Sequence, residues 1–211
     1  MSHLDHILPS LLGNRETIYE TYWLADGAKK LEGDIVECGV AYGAQIAAMK
    51  MAAPEKMVWA YDSYEGIQLA GKHDNAQPGI DGELDPNREI PENLLVSSGI
   101  SACSVREVIK NLERWKLKPE GFRFIEGWVQ NTLPVPGNLP EKICVLRLDM
   151  DMHDPTLFAL EWMFPLLVDG GVLIVDDWGY KGVQTALSTY FDSINYKPDW
   201  KTPFHTGYLF K

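Results

Sequence analysis

Three aspartates, Asp149, Asp151 and Asp154, crowd the stretch LRLDMDMHDPT at residues 146–156, where an apolar run gives way to a helix start. A second acidic pair, Asp176 and Asp177, closes the apolar run GGVLIVDD. Carboxylates held close together cannot all stay ionised without a cation; otherwise one of them must keep its proton. Hard oxygen ligands favour Mg²⁺, Mn²⁺ or Ca²⁺, and a site of few carboxylates with room for water suits Mg²⁺ best. Asp149, Asp176 and Asp177 are the candidate metal ligands. The plainer alternative is that Asp176 and Asp177 cap the next helix while Asp149 faces solvent.

A different chemistry stands at VECGVAYG. Gly39 and Gly43 allow a tight turn and a close backbone approach to a ligand. The spacing is not GxGxxG, so a dinucleotide pyrophosphate cradle is not indicated. Glu37 beside this turn would repel phosphate yet attract an ammonium or a sulfonium ligand. Asp62 follows 25 residues later, where an acid characteristically accepts hydrogen bonds from a ribose diol. Turn and ribose acid without a phosphate site describe S-adenosylmethionine better than NAD. The alternative is an ordinary strand-to-helix turn with a solvated glutamate.

The elements that must position these residues alternate between strand and helix. Asn14 is a candidate N-cap for RETIYETYWLADGAKK, with Ile18, Tyr22 and Ala25 on one face. DIVECG, KMVWAYD, GFRFIEG, KICVLRLD and GGVLIVDD read as buried strands, and HTGYLF as a last one. YGAQIAAMKMAA and KGVQTALSTYFDS read as helices. SVRE is a capping-box pattern, Ser104 with Glu107, ahead of the stripe Val105, Val108, Ile109 and Leu112. Asp154 as N-cap and Pro155 at the first helical position predict the start of the helix PTLFALEWMFPLL. This alternation implies an α/β, Rossmann-like fold. About seven strands form a mostly parallel sheet with an antiparallel C-terminal strand and helices on both faces. Residues 63–100, rich in Gly, Pro, Asp and Asn, read as a lid or an insertion loop within a single domain spanning 1–211.

In such a sheet ligands bind outside the carboxyl ends of the strands. Glu37, Asp62, Glu126, Asp149, Asp176 and Asp177 each fall at, or one residue past, such an end. That coincidence over five strands argues for one ligand site. The formal net charge of −11 and pI near 4.9 repel phosphate backbones, which argues against nucleic acid as a partner. No run approaches the ~18 apolar residues needed to span a bilayer. No signal-peptide pattern is visible, and Cys38, Cys103 and Cys144 have no paired spacing, so the expected setting is cytoplasmic.

The blocks GDIVECGVAYG, YDSYEG, FRFIEGWVQNTLP, LRLDMDMHDPTLFALEWMFPLLVDGGVLIVDDWG and GYLFK, in this order, resemble the macrocin O-methyltransferase family. The resemblance implies a class I methyltransferase fold, S-adenosylmethionine as methyl donor, a divalent cation and a tendency towards homodimers. The implied acceptor is a small-molecule hydroxyl, often on a sugar of a natural product. By the same resemblance, Asp149, Asp176 and Asp177 look like metal ligands and Asp151 like the general base. Glu37, Gly39, Tyr42, Gly43, Asp62, Ser63, Gly127 and Trp128 look like the cofactor pocket. The chain departs from the usual LDGDLYEST: Met150 replaces the glycine, MHDPT replaces LYEST, and His153 stands where an aromatic is usual. The DSYEG loop also lacks the usual proline after Ile67. These departures bear on the acceptor.

Two rival readings use the same acids. LDMD is also the DxD of a metal-dependent glycosyltransferase, which would need donors for a pyrophosphate and leaves VECGVAYG unexplained. A non-catalytic, metal-stabilised binding module is the third. His73, His153 and His205 have unassigned roles, with His153 expected at the rim before a helix.

Overall fold

The computed structural model describes residues 4–8, 15–74, 95–204 and 206–211. Asn14, His205 and the middle of the expected lid, residues 75–94, lie outside the described residues. The chain order is α1 (Arg15–Ala28), β1 (Asp34–Cys38), α2 (Ala44–Ala52), β2 (Val58–Asp62), α3 (Val105–Arg114) and β3 (Phe122–Glu126). It continues with α4 (Val129–Thr132), β4 (Ile143–Leu148), α5 (His153–Met163), β5 (Leu167–Val175), α6 (Lys181–Ser193) and β6 (Gly207–Phe210).

The strands lie in the order β3-β2-β1-β4-β5-β6, all parallel except the antiparallel β5–β6 pair. Side chains alternate between faces along a strand, so a strand covered on both sides must be apolar at every position. Ile35, Ala60, Val145 and Ile174 pack beneath α1, α2 and α3, while Val36, Tyr61, Leu146 and Leu173 pack beneath α4, α5 and α6. Burial of both faces explains why these strands read as unbroken apolar runs.

Six strands form the sheet among the described residues, not about seven. Between α6 and β6 the chain makes only an isolated bridge, Lys201 to Tyr208. Pro198 and Pro203 flank it and have no N–H to extend a ladder.

The capping box at α3 forms as expected: the Ser104 hydroxyl accepts from Glu107 N at 3.3 Å, and the Glu107 carboxylate accepts from Ser104 N at 2.9 Å. The start of α5 differs from expectation. The helix opens at His153 behind an extended Met152 (φ −113, ψ 156), so Asp154 lies inside it rather than capping it. Its side chain turns instead to His153 Nδ1, 2.7 Å away. The cap comes from a distance, because Asp74 Oδ1 accepts the His153 N–H at 2.8 Å.

Gly39, with φ +88, marks the point where β1 and β4 part, and a Cβ there would sit 1.6 Å from the Asp149 carbonyl oxygen. Gly39→Ala therefore forces backbone apart at the centre of the sheet. It is expected to cost about 3 kcal/mol of stability, measured as a lower melting temperature.

Candidate active site

The chain winds outward from β1 through β2 to β3, returns to β4 beside β1, and then winds the other way. Adjacent β1 and β4 thus form a switch point, where the connections diverge and leave a crevice. The ladder runs on past the strand ends. Asp149 N donates to Cys38 O at 2.8 Å, Asp176 N to Leu148 O at 2.9 Å, and Gly127 N to Asp62 O at 2.9 Å. Pairing of this kind brings the acids that follow each strand to a single rim.

Arg147 lies beneath that rim and was not singled out from the sequence. It pairs in register with Glu37 across β4 and β1, so the two side chains leave the same face of the sheet. Its Nη1 donates to Glu37 Oε1 and to Asp149 Oδ2, both at 2.6 Å, and its Nη2 donates to Asp176 Oδ1 at 2.9 Å. Arg147 and Glu37 are each 1 % exposed. One guanidinium fork therefore ties together the ends of β1, β4 and β5. The surrounding carboxylates hold it firmly protonated despite burial. Burial pushes the Glu37 carboxyl up to about 8, with the Arg147 charge pulling the other way.

Above the fork, Asp149, Asp151 and Asp177 gather with one oxygen from each within 4.8 Å of the others. Asp151 and Asp177 both adopt left-handed backbone, φ 63 and φ 51, which non-glycine residues rarely take. That conformation turns each away from its strand direction, and Asp151 N donates to Asp177 Oδ2 at 3.2 Å. Asp176 is not part of this trio; Arg147 holds one of its oxygens, as it holds one of Asp149. Of the expected metal ligands, the geometry therefore groups Asp149 and Asp177, with Asp151 in the third place.

Burial, reinforced by Asp149 and Asp176, raises the Asp151 carboxyl to about 8. Burial and Asp149 raise Asp176 to about 7, and Asp177 is raised as well. A carboxyl with a raised folded-state pKa stabilises the native state only while protonated. Its contribution is fully present below the unfolded value near 4 and is lost as pH climbs through the folded value. A divalent cation held by these carboxylates would take over the role of the protons. The Mg²⁺-induced rise in melting temperature is accordingly expected to be small at about pH 6 and larger at about pH 8.5. Scanning calorimetry in metal-free and Mg²⁺ buffers checks this; a shift independent of pH would contradict it.

The other half of the crevice is organised by Asp62. Its Oδ2 accepts from Val40 N and Ala41 N at 2.7 and 2.9 Å, and its Oδ1 accepts from Tyr64 N at 2.7 Å. Three of roughly four carboxylate lone-pair sites are thus spent on shaping the glycine turn, leaving about one for a ligand hydroxyl. Glu37, Gly39, Tyr42, Asp62, Ser63, Trp128, Asp149, Asp151, Asp176 and Asp177 line one cavity of about 240 Å³. Gly43 and Gly127 do not line it. Their left-handed φ values, 87 and 129, set the turns beside it.

The two arms of the expected insertion pair with each other: Ile67 N donates to Ile100 O and Leu69 N to Val96 O, both at 2.9 Å. Gln68 on one arm bonds Gln130 of α4, and both Gln68 and Ser101 line the cavity. His153 is buried, and its ring packs against that of His73 with centroids 4.3 Å apart. It lies at the base of the insertion rather than among the lining residues.

The macrocin-O-methyltransferase (TylF) family profile matches residues 24–202. The chain belongs to the macrocin-O-methyltransferase family. Its relatives include an 8-demethyl-8-(2,3-dimethoxy-alpha-L-rhamnosyl)-tetracenomycin-C 4'-O-methyltransferase of Streptomyces olivaceus, 33% identical over 184 residues, covering 85% of this chain and 64% of the relative. Mycinamicin III 3''-O-methyltransferase of Micromonospora griseorubida is 29% identical, with 80% of this chain and 63% of the relative covered. The chain thus spans somewhat under two thirds of the length of these curated relatives. Among solved structures, the O-methyltransferase NovP superposes with a TM-score of 0.74 at 23% identity, covering 93% of this chain and 79% of NovP. An O-methyltransferase from Bacillus cereus in complex with SAH superposes at 0.62 with 13% identity, covering 100% and 91% of the two chains. These likenesses show that the family member described above has the α/β fold of O-methyltransferases.

Proposed function

We propose that this protein is an S-adenosylmethionine-dependent, divalent-cation-dependent O-methyltransferase acting on a hydroxyl of a small natural-product molecule, with a sugar hydroxyl as the favoured acceptor. The carrying observation is the make-up of the cavity wall. Six carboxylates line it, from Glu37, Asp62, Asp149, Asp151, Asp176 and Asp177, and no Lys or Arg lines it among the described residues. Such a wall attracts a sulfonium, an ammonium and a metal ion and repels a pyrophosphate. This favours the methyltransferase reading over a nucleotide-sugar glycosyltransferase. The relatives' names, which specify O-methylation of a rhamnosyl tetracenomycin and of mycinamicin III, support the acceptor class.

The residues suit both absent groups. Glu37 Oε2 is a buried acceptor without a partner, suited to an ammonium, and Asp62 retains capacity for a ribose hydroxyl. Asp149 and Asp177 would hold the cation, with Asp151 beside them and Asp176 braced by Arg147. Such a cation lowers the pKa of a nearby hydroxyl and steadies the negative charge that grows on its oxygen. S-adenosylmethionine supplies the methyl group and leaves as S-adenosylhomocysteine. Asp151 takes the hydroxyl proton, and the rim fixes the acceptor for in-line attack. Buried, unpaired Cys38, Cys103 and Cys144 support a reducing, cytoplasmic setting.

The test is transfer of a labelled methyl group to a panel of deoxysugar glycosides and phenols. Transfer to a glycoside hydroxyl that EDTA abolishes and Mg²⁺ restores is expected. Transfer undiminished by EDTA would remove the cation from the account, and binding of UDP with Mn²⁺ in place of S-adenosylhomocysteine would remove the methyl donor.

A further inference from the structure

Gln45 is the second residue of α2, directly beyond the Gly39–Gly43 turn. It is only 7 % exposed and lines the cavity. Its Nε2 donates to Thr17 Oγ1 of α1 at 3.2 Å, while its Oε1 is buried without any partner. Glu37 Oε2, on the same cavity wall, is the second buried acceptor without a partner. Native proteins pair nearly all buried polar atoms, so two orphaned acceptors on one wall call for a donor that the protein does not supply. An ammonium, with three N–H donors and a positive charge, suits acceptors of both kinds. A carboxylate would be repelled by Glu37.

Resting on the S-adenosylmethionine reading above, we propose that Gln45 binds the ammonium of the cofactor's amino-acid end jointly with Glu37. Thr17 acts as a positioning residue. Its hydroxyl accepts from Nε2 and holds the side chain against α1, with the carbonyl oxygen left for the ligand. Through this contact α1 becomes part of the cofactor site, although nothing in its sequence pattern suggests more than a packing helix. The acid supplies attraction as it ionises beside the ammonium; the neutral amide adds a directional acceptor whose geometry depends on α1 packing against α2.

Two ligands separate this role from a general structural one. S-adenosylhomocysteine carries the amino-acid end, and 5′-methylthioadenosine lacks it while keeping the adenosine and the sulfur. Calorimetric titration of the full chain with each ligand is expected to show Gln45→Leu weakening S-adenosylhomocysteine about tenfold, the loss of one charge-assisted hydrogen bond. Affinity for 5′-methylthioadenosine should stay unchanged. Thr17→Val should give the same selective pattern at smaller size. A loss shared equally by both ligands, or no loss for either, would overturn the assignment of Gln45 and leave the cofactor site standing. Wild-type protein that binds neither ligand would overturn the cofactor reading itself, and this inference with it.

Discussion

Asp151→Asn is expected to lower turnover by roughly a thousandfold while S-adenosylhomocysteine binds as it does to the wild type. The amide has nearly the shape of the acid and keeps an acceptor oxygen, but it cannot take a proton from the acceptor hydroxyl. Asp151 also has the position the role requires. It lies within the carboxylate trio, and a left-handed backbone places it there at the cost of strain. Single-turnover kinetics with a true acceptor separate the chemical step from binding. Turnover within about threefold of wild type would reject Asp151 as the base. Loss of Mg²⁺ binding together with turnover would make it a ligand instead.

Arg147→Met should have the largest effect on stability. It strips the counter-charge from Glu37, Asp149 and Asp176, which the fork joins at 2.6, 2.6 and 2.9 Å. Removing one partner of a buried ion pair costs about 3–5 kcal/mol, because the remaining charges are left unpaired. Three acids would share that fate here. Arg147→Lys keeps the charge but not the fork, and should recover only part of the loss. Chemical denaturation at a fixed pH measures both variants. A melting or denaturation midpoint unchanged in Arg147→Met would mean that the fork contributes nothing net.

Much of this architecture was legible because both faces of the sheet are covered. Parallel strands buried on two sides leave continuous apolar runs, and an acid that ends such a run marks a strand's carboxyl end. Glu37, Asp62, Asp149, Asp176 and Asp177 could therefore be placed at one rim from their neighbours alone, whereas Glu126, expected with them, does not line the cavity. Arg147 escaped notice for the opposite reason. A lone arginine within ICVLRL carries no periodic signal, and only the β1–β4 register shows that it faces Glu37. A charged residue in the middle of an otherwise apolar strand was the available clue, since burying it demands partners.

Asp154 looked like a cap because short-range statistics favour Asp before Pro at a helix start. The residue that caps the helix, Asp74, accepts from His153 N–H across 79 residues of sequence, beyond the reach of any local rule. The partition of the acids had the same limit. Which three of Asp149, Asp151, Asp176 and Asp177 gather depends on φ at Asp151 and Asp177.

Diffraction from crystals grown with Mn²⁺ and S-adenosylhomocysteine tests most directly whether the rim is two adjoining sites, one for a cation and one for the nucleoside. The account predicts an anomalous peak at coordination distance from Asp149 and Asp177, with the ribose against Asp62 and the amino group against Glu37. Manganese bound elsewhere, or a nucleoside outside the cavity, would contradict it.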